Sequence, residues 1–132
     1  MIEARCNCGA LAVAVSGPSK LISACHCTEC QLRTGSPFGV GAFYPANDVV
    51  ITGTAKEFAR DGSSGGKVRN FFCPVCGSTV YWTADKAPGF IAVAVGSFAD
   101  ASHSRPTRSI WEQTKHRWVE LDADQHALLG SP

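Results

Sequence analysis

The sequence lacks an excess of charge of either sign, because 12 Lys and Arg residues nearly balance 11 Asp and Glu residues. Proteins that bind nucleic acid or a membrane surface electrostatically usually carry a basic excess, so both partners are disfavoured. The sequence also lacks an apolar run near the ~20 residues needed to cross a bilayer, and it does not open with a charged stretch followed by an apolar one. We therefore expect a cytoplasmic protein that inserts into no membrane.

The sequence contains neither an internal repeat nor a domain linker. A chain of 132 residues is long enough for one domain that buries roughly two-thirds of the surface of its unfolded form. We predict a single domain over residues 1–132, with residues 122–132 as a loosely ordered tail, since chain ends are usually less firmly held. The sequence gives no indication of the oligomeric state.

Long segments with helical periodicity are absent, and the sequence predicts a mainly β fold. Residues 1–16 alternate between apolar and polar around a Cys-Asn-Cys-Gly turn, which is typical of a β-hairpin. A second hairpin is predicted from residues 49–51 and 55–59, around Thr52-Gly53-Thr54. The only helical prediction is a single turn at residues 31–34. Further strands are predicted at residues 21–24, 38–44, 67–72, 79–83 and 90–95.

The seven cysteines stand in C-x-C and C-x-x-C spacings. In a reducing compartment, this odd number and these spacings indicate metal ligands rather than a disulfide framework. Two of the pairs together make one complete set of four thiolates for a structural zinc. Four reduced buried cysteines, or a disulfide pairing, are the alternatives. The predicted ligands of this four-cysteine site are Cys6, Cys8, Cys73 and Cys76.

The remaining cysteines, Cys25, Cys27 and Cys30, supply three ligands rather than four. A catalytic zinc differs from a structural one in keeping a coordination position open for water or substrate, so this three-cysteine site is the predicted catalytic centre. One alternative is a second structural zinc closed by His103, by His116 or by an acidic side chain. Another is an iron–sulfur cluster, which usually takes four cysteines. His26 lies between two ligands and is expected to contact the site without binding its metal.

Aromatic and basic residues are the remaining candidates for the functional site. The three tryptophans, Trp82, Trp111 and Trp118, are assigned to packing. Scattered basic residues could hold the carboxylates of an anionic substrate, although most such charges are only solvated surface. Arg33 stands out because it closely follows Cys30. The other basic candidates are Lys67, Arg69, Arg105, Arg108, Lys115 and Arg117.

The combined pattern resembles the glutathione-dependent formaldehyde-activating enzyme family, which has an Mss4-like β fold and includes centromere protein V relatives. The resemblance covers most of the chain, and a spacing of seven cysteines is far more specific than one Cys-x-x-Cys pair. It rests on Cys6-x-Cys8-Gly9, Cys25-His26-Cys27-x-x-Cys30 and Phe72-Cys73-x-x-Cys76-Gly77, and also on Gly35-Ser36, Val95-Gly96-Ser97-Phe98, Ile110-Trp111 and Trp118.

The resemblance implies two zinc ions per chain, a structural one on the four-cysteine site and a catalytic one on the three-cysteine site. It also implies a single small zinc-stapled domain and a carbon–sulfur lyase that acts on a small thiol and an aldehyde, as in the formation of S-hydroxymethylglutathione. The chain departs from the family at Asp100, which lies one position later than usual, and at Ser109, where a histidine is frequent. The alternative function is a non-catalytic protein-interaction module, which the Mss4-like fold also supports.

Overall fold

The computed structural model describes residues 1–130 and contains, in that range, eleven β-strands, one short α-helix and three 3₁₀ turns. The predicted mainly β class is thereby confirmed. The strands are β1 (Ile2–Arg5), β2 (Ala12–Val15), β3 (Leu21–Cys25), β4 (Gly39–Pro45), β5 (Val49–Thr52), β6 (Lys56–Asp61), β7 (Lys67–Phe72), β8 (Thr79–Ala84), β9 (Phe90–Ala94), β10 (Arg108–Ile110) and β11 (Gln125–His126), and the helix is α1 (Thr28–Thr34).

The strands form two sheets. The small sheet has the order β1-β2-β5, and the large sheet has the order β11-β10-β3-β4-β9-β8-β7-β6. Strand β10 pairs in parallel with β3 and β11, whereas the other pairs are antiparallel. The large sheet therefore brings the end of β3, where Cys25 lies, next to late segments of the chain.

The predicted N-terminal hairpin is confirmed, with Ile2 opposite Val15 and Arg5 opposite Ala12. Its alternation places one set of apolar side chains against the large sheet. Burying such side chains is the main favourable contribution to folding, at roughly 1.5–3 kcal/mol for each large one. The shared core consists of Ala4, Cys6, Leu11, Val13, Val15, Ile22, Ala42, Tyr44, Cys73, Val80, Tyr81 and Val93.

The predicted hairpin of residues 49–51 with 55–59 is wrong. Strand β5 pairs with β2 in the small sheet, while β6 pairs with β7 in the large sheet. The chain passes from one sheet to the other at Gly53, whose φ is +96° and where a Cβ atom would collide with the carbonyl oxygen of Ala10. The glycine that suggested a hairpin turn therefore serves a crossing between sheets.

Helix α1 begins at Thr28, three residues before the predicted turn at residues 31–34. Cys27 occupies the position before the helix and its sulfur accepts a hydrogen bond from the backbone N–H of Cys30, at 3.4 Å. Serine, threonine and aspartate are the usual residues for this role, so the cysteine concealed the helix start. The helix ends at Gly35, which has a left-handed conformation with φ of 68°.

The predicted loosely ordered tail, residues 122–132, includes strand β11. Gln125 pairs with Arg108, and the backbone N–H of Ala127 donates to the carbonyl oxygen of Ser109 at 2.9 Å. Residues 131 and 132 lie outside the described part. How firmly this tail is held stays a prediction, as does the single domain over residues 1–132. Within residues 1–130, no helix has both the length and the apolar character that crossing a membrane requires.

Candidate metal centres

The four-cysteine site joins two turns that are distant in sequence. Cys6 and Cys8 follow β1, whereas Cys73 and Cys76 lie between β7 and β8. The four sulfur atoms lie within 4.8 Å of one another. The structure therefore brings together the four residues that the sequence grouped as one ligand set.

Backbone geometry in these turns directs N–H groups at sulfur. Leu11 donates to Cys6 Sγ at 3.2 Å, and Val75 donates to Cys73 Sγ at 3.4 Å. Such hydrogen bonds favour the thiolate. The hydroxyl of Ser78, with backbone N–H groups, lowers the pKa of Cys76 to about 5. Cys6 and Cys76 are thus suited to the ionised, metal-binding form of sulfur, whereas burial and the neighbouring thiols raise the pKa of Cys8 to about 11.

The spacing of the sulfur atoms fits a zinc ion and does not fit a disulfide. Cys8 Sγ lies 3.7 Å from Cys6 Sγ and 3.7 Å from Cys73 Sγ. Four sulfurs at about 2.3 Å from a tetrahedral zinc would be about 3.8 Å apart, whereas a disulfide requires about 2.05 Å. All seven cysteines are free. The alternative disulfide pairing is therefore excluded in this structure.

The three-cysteine site lies where strand β3 passes into helix α1. Cys25 is the last residue of β3, Cys27 precedes the helix, and Cys30 lies in its first turn. Their sulfur atoms also lie within 4.8 Å of one another. The prediction that these cysteines sit at a strand end is confirmed.

In the described part of the chain, no histidine or carboxylate joins the three thiols within that distance. His116 instead bonds through Nε2 to Gln31 Oε1 at 3.0 Å, and His103 stacks on Phe98 with ring centroids 5.0 Å apart. The structure thus does not supply the closing ligand that a second structural zinc would need from His103, His116 or an acidic side chain. Three soft sulfur donors with a free fourth side fit zinc in a catalytic arrangement.

Ionisation in this site is concentrated on Cys27. Hydrogen bonds from the thiols of Cys25 and Cys30, and a further one from the Ser63 hydroxyl, lower the pKa of Cys27 to about 2, although burial opposes this. Hydrogen bonds with the thiols of Cys27 and Cys30 raise the pKa of Cys25, and burial acts in the same direction. These interactions therefore favour the thiolate at Cys27 over the thiolate at Cys25.

His26 is fully buried and lies outside the set of sulfur ligands. Its Nε2 is 2.8 Å from Ser109 Oγ, and its carbonyl oxygen accepts hydrogen bonds from Gln31 and Thr114. Burial lowers the pKa of this imidazole, which keeps it neutral. His26 thereby ties the ligand loop to β10 and the segment after it, which agrees with a supporting role near the metal.

A cavity of about 590 Å³ opens onto the three-cysteine site, and we call it the main cavity. It is lined by all three thiols, by Trp82 and Trp111, and by residues of the loop between β6 and β7. Trp82 and Trp111, which the sequence analysis assigned to packing, thus also line a cavity, and Trp118 is exposed. None of the thiols of the four-cysteine site lines this cavity.

Two glycines of β4 make room for large side chains beside the thiols. A Cβ atom at Gly41 would lie 2.5 Å from Cζ2 of Trp82, and one at Gly39 would collide with the Arg33 guanidinium. That guanidinium stacks over Trp82, with its Cζ 4.2 Å from the ring centroid. The glycines of this strand thus permit close approach of Trp82 and Arg33.

We expect Gly41→Ala to destabilise the protein by about 1–3 kcal/mol, because Trp82 must move to admit the methyl group. Thermal unfolding should therefore occur several degrees lower. Gly96→Ala is the matched control, since a Cβ atom there meets nothing within 4 Å. Equal melting temperatures for the two variants would contradict the close contact.

The basic residues divide into those that line the cavity and those that are paired with acids. Of the sequence candidates, Arg33 and Arg108 line the cavity. Four others form ion pairs: Lys67 with Asp61, Arg69 with Asp85, Arg105 with Asp122 and Asp124, and Lys115 with Glu112. Arg117 does not line the cavity.

Three basic residues of the cavity wall, Lys20, Arg60 and Lys86, were missed by the sequence analysis. They lie on separate segments of the chain, so no local motif marks them. Ser63 was missed for the same reason. Its hydroxyl contacts Cys27, which is distant in sequence, so no local pattern indicates the contact. The lining contains no Asp or Glu, so the cavity favours anionic ligands.

Comparison with known proteins identifies a family and a fold. The family model described as glutathione-dependent formaldehyde-activating enzyme matches residues 1–114. No curated protein gives a significant match. A crystal structure of a Rhodobacter sphaeroides protein superposes with a TM-score of 0.57 at 19% identity, over 73% of this chain and 86% of that one.

Proposed function

Since the chain belongs to the family of glutathione-dependent formaldehyde-activating enzymes and has an Mss4-like β fold, we propose that it is a zinc-dependent carbon–sulfur lyase. The reaction joins a small thiol such as glutathione to formaldehyde or a related aldehyde. A bond forms between the sulfur and the carbonyl carbon, and the thiol proton ends on the carbonyl oxygen. The product is a thiohemiacetal such as S-hydroxymethylglutathione, and the reverse reaction releases the aldehyde.

The observation that carries this proposal is the contrast between the two cysteine sites. The thiols of the three-cysteine site line the main cavity, whereas those of the four-cysteine site do not. A substrate atom can reach the former, because only three protein ligands are present there. A complete set of four leaves no position for a substrate, so Cys6, Cys8, Cys73 and Cys76 are assigned to a structural zinc.

Cys25, Cys27 and Cys30 would hold the catalytic zinc. Zinc with three thiolate ligands binds sulfur well and lowers the pKa of a bound thiol, which is the chemistry that the metal supplies here. The protein orients the two substrates and excludes part of the water around them. Trp82 and Trp111 form apolar walls of the cavity, and the loop between β6 and β7 covers part of it. A thiol and an aldehyde held together in such a space react as if at very high local concentration.

The proposal predicts that the zinc-loaded protein accelerates exchange between glutathione, formaldehyde and S-hydroxymethylglutathione. Because these compounds also react spontaneously, the measurement is the exchange rate by carbon-13 NMR as a function of protein concentration. We expect the rate to rise in proportion to added protein. A folded protein with two zinc ions that leaves the spontaneous rate unchanged would contradict the assignment.

The alternative is a non-catalytic interaction module held together by two structural zincs. It predicts two metal ions that are equally inert toward added thiols and chelators. The proposed enzyme instead has one zinc that thiols perturb and chelators remove without unfolding the chain. The open cavity beside the three-cysteine site supports the enzyme.

A further inference from the structure

We propose that Arg33 and Arg60 form a carboxylate-binding subsite beside the three-cysteine site, so that the main cavity selects thiols that carry carboxylate groups. This inference rests on the proposed function, because it takes a thiol as the substrate. It adds the residues that distinguish glutathione from an uncharged thiol. We call the two side chains the arginine pair.

The arginine pair lies in one wall of the main cavity. Both side chains also line a second cavity of about 450 Å³, so the pair forms the wall between the two spaces. Arg33 stacks on Trp82 and interacts with the sulfur of Cys30. A group bound by the pair therefore lies beside the thiols of the three-cysteine site.

The arginine pair lacks acidic partners. Within residues 1–130, neither Arg33 nor Arg60 forms an ion pair, although Lys67, Arg69, Arg105 and Lys115 all do. Arg33 and Arg60 line the same two cavities, so their positive charges lie near each other. Two neighbouring cations without a carboxylate partner repel each other, and a bound anion would relieve that repulsion.

Arg60 offers hydrogen-bond donors that the described part of the chain does not satisfy. Its Nη1 donates to the carbonyl oxygen of Asp61 at 3.0 Å, but its Nε is buried and has no partner. Buried donors in folded proteins are nearly always paired, so an unpaired one suggests a missing acceptor. The planar fork of an arginine matches the two oxygens of a carboxylate.

Lys20 and Lys86 also line the main cavity, and neither forms an ion pair among the described residues. A ligand that carries two carboxylates could thus place one on the arginine pair and turn the other toward a lysine. Glutathione has two carboxylates and a central thiol. Its two carboxylates therefore suit the basic lining of this cavity.

The test measures binding of S-methylglutathione to the zinc-loaded protein by calorimetry, with its diethyl ester for comparison. The methyl group prevents the sulfur from acting as a thiolate, so the measurement reports on the subsite alone. A charge-assisted hydrogen bond contributes enough for roughly a tenfold to hundredfold change in affinity. We expect the acid to bind at least about tenfold more tightly than the ester.

Arg60→Gln should reduce that preference to about twofold or less, and Arg60→Lys should retain part of it. Arg33→Gln provides a second variant from the other half of the pair. Arg69→Gln is the matched control, because Arg69 pairs with Asp85 and lies outside the cavity lining. Its preference for the acid should equal that of the parent protein.

Equal binding of acid and ester by the parent protein, or no binding of either, overturns the inference whether or not the variants fold. An unchanged preference in folded Arg60→Gln and Arg33→Gln does so too. The proposed function is tested separately by the exchange rate. Arginine-dependent binding without accelerated exchange would refute the lyase and leave the subsite, whereas accelerated exchange without a preference for the acid would do the opposite.

Discussion

Cys73→Ser and Cys76→Ser each remove one ligand of the four-cysteine site, and each is expected to give insoluble or molten protein. The site fixes the turn after β1 to the turn between β7 and β8. Structural zinc binding contributes about 10–16 kcal/mol in small zinc-finger peptides, comparable to or larger than the 5–15 kcal/mol stability of a typical domain. Losing a ligand should therefore remove most of the net stability, which soluble yield, zinc content and thermal unfolding will measure.

Cys73 and Cys76 differ in burial, so comparing the two variants distinguishes the effect of losing the metal from the effect of disturbed core packing. Cys73 is fully buried, whereas Cys76 is exposed, so a serine at Cys76 disturbs little apart from the metal. Similar damage in both variants supports a metal, and damage from Cys73→Ser alone points to packing. Val75→Ala is the control, since Val75 is 78% exposed in the same turn. Soluble Cys76→Ser protein with an unchanged melting temperature would contradict the structural site.

Cys27→Ser is expected to keep the fold, to abolish activity and to lower bound zinc from two ions per chain toward one. The three ligands lie within six residues, so their metal closes little chain and adds less to the fold than the four-cysteine site. Serine is also a favourable residue before a helix, so it can replace Cys27 as acceptor for the N–H of Cys30. A serine oxygen is nevertheless a poor substitute for a soft thiolate ligand of zinc.

The decisive measurement compares Cys27→Ser with Cys76→Ser in zinc content, exchange rate and thermal unfolding. The proposed function requires that Cys27→Ser retains its melting temperature to within a few degrees, while Cys76→Ser does not fold. A second closed structural site would make the two variants similarly unstable. An equal loss of stability in the two variants would therefore contradict the open coordination position and the enzymatic proposal that depends on it.

Local patterns predicted much of the strand content. Strand β7 has the predicted bounds, β3, β8 and β9 differ by one residue at one end, and β4 is shifted by one residue at both ends. Alternation of apolar and polar residues is a property of neighbouring positions, so it survives without knowledge of the fold. The error at β5 arose because strand pairing is a long-range property. Nothing near Val49–Thr52 indicates that its partner is β2 rather than β6.

The sequence by itself determined how the seven cysteines group into a set of four and a set of three, because a closed zinc site takes four protein ligands and an open one takes three, and the structure brings the same two groups together. It also determined the mainly β class, through the alternation of apolar and polar residues, and the family, through the number and spacing of the cysteines. Only the tertiary structure decided what surrounds the thiols. Arg33 of α1, Arg60 of β6 and Trp82 of β8 meet beside the three-cysteine site because the large sheet aligns strands that are distant in sequence. The proposed substrate selection depends on those neighbours, and the contacts between them exist only in the folded chain.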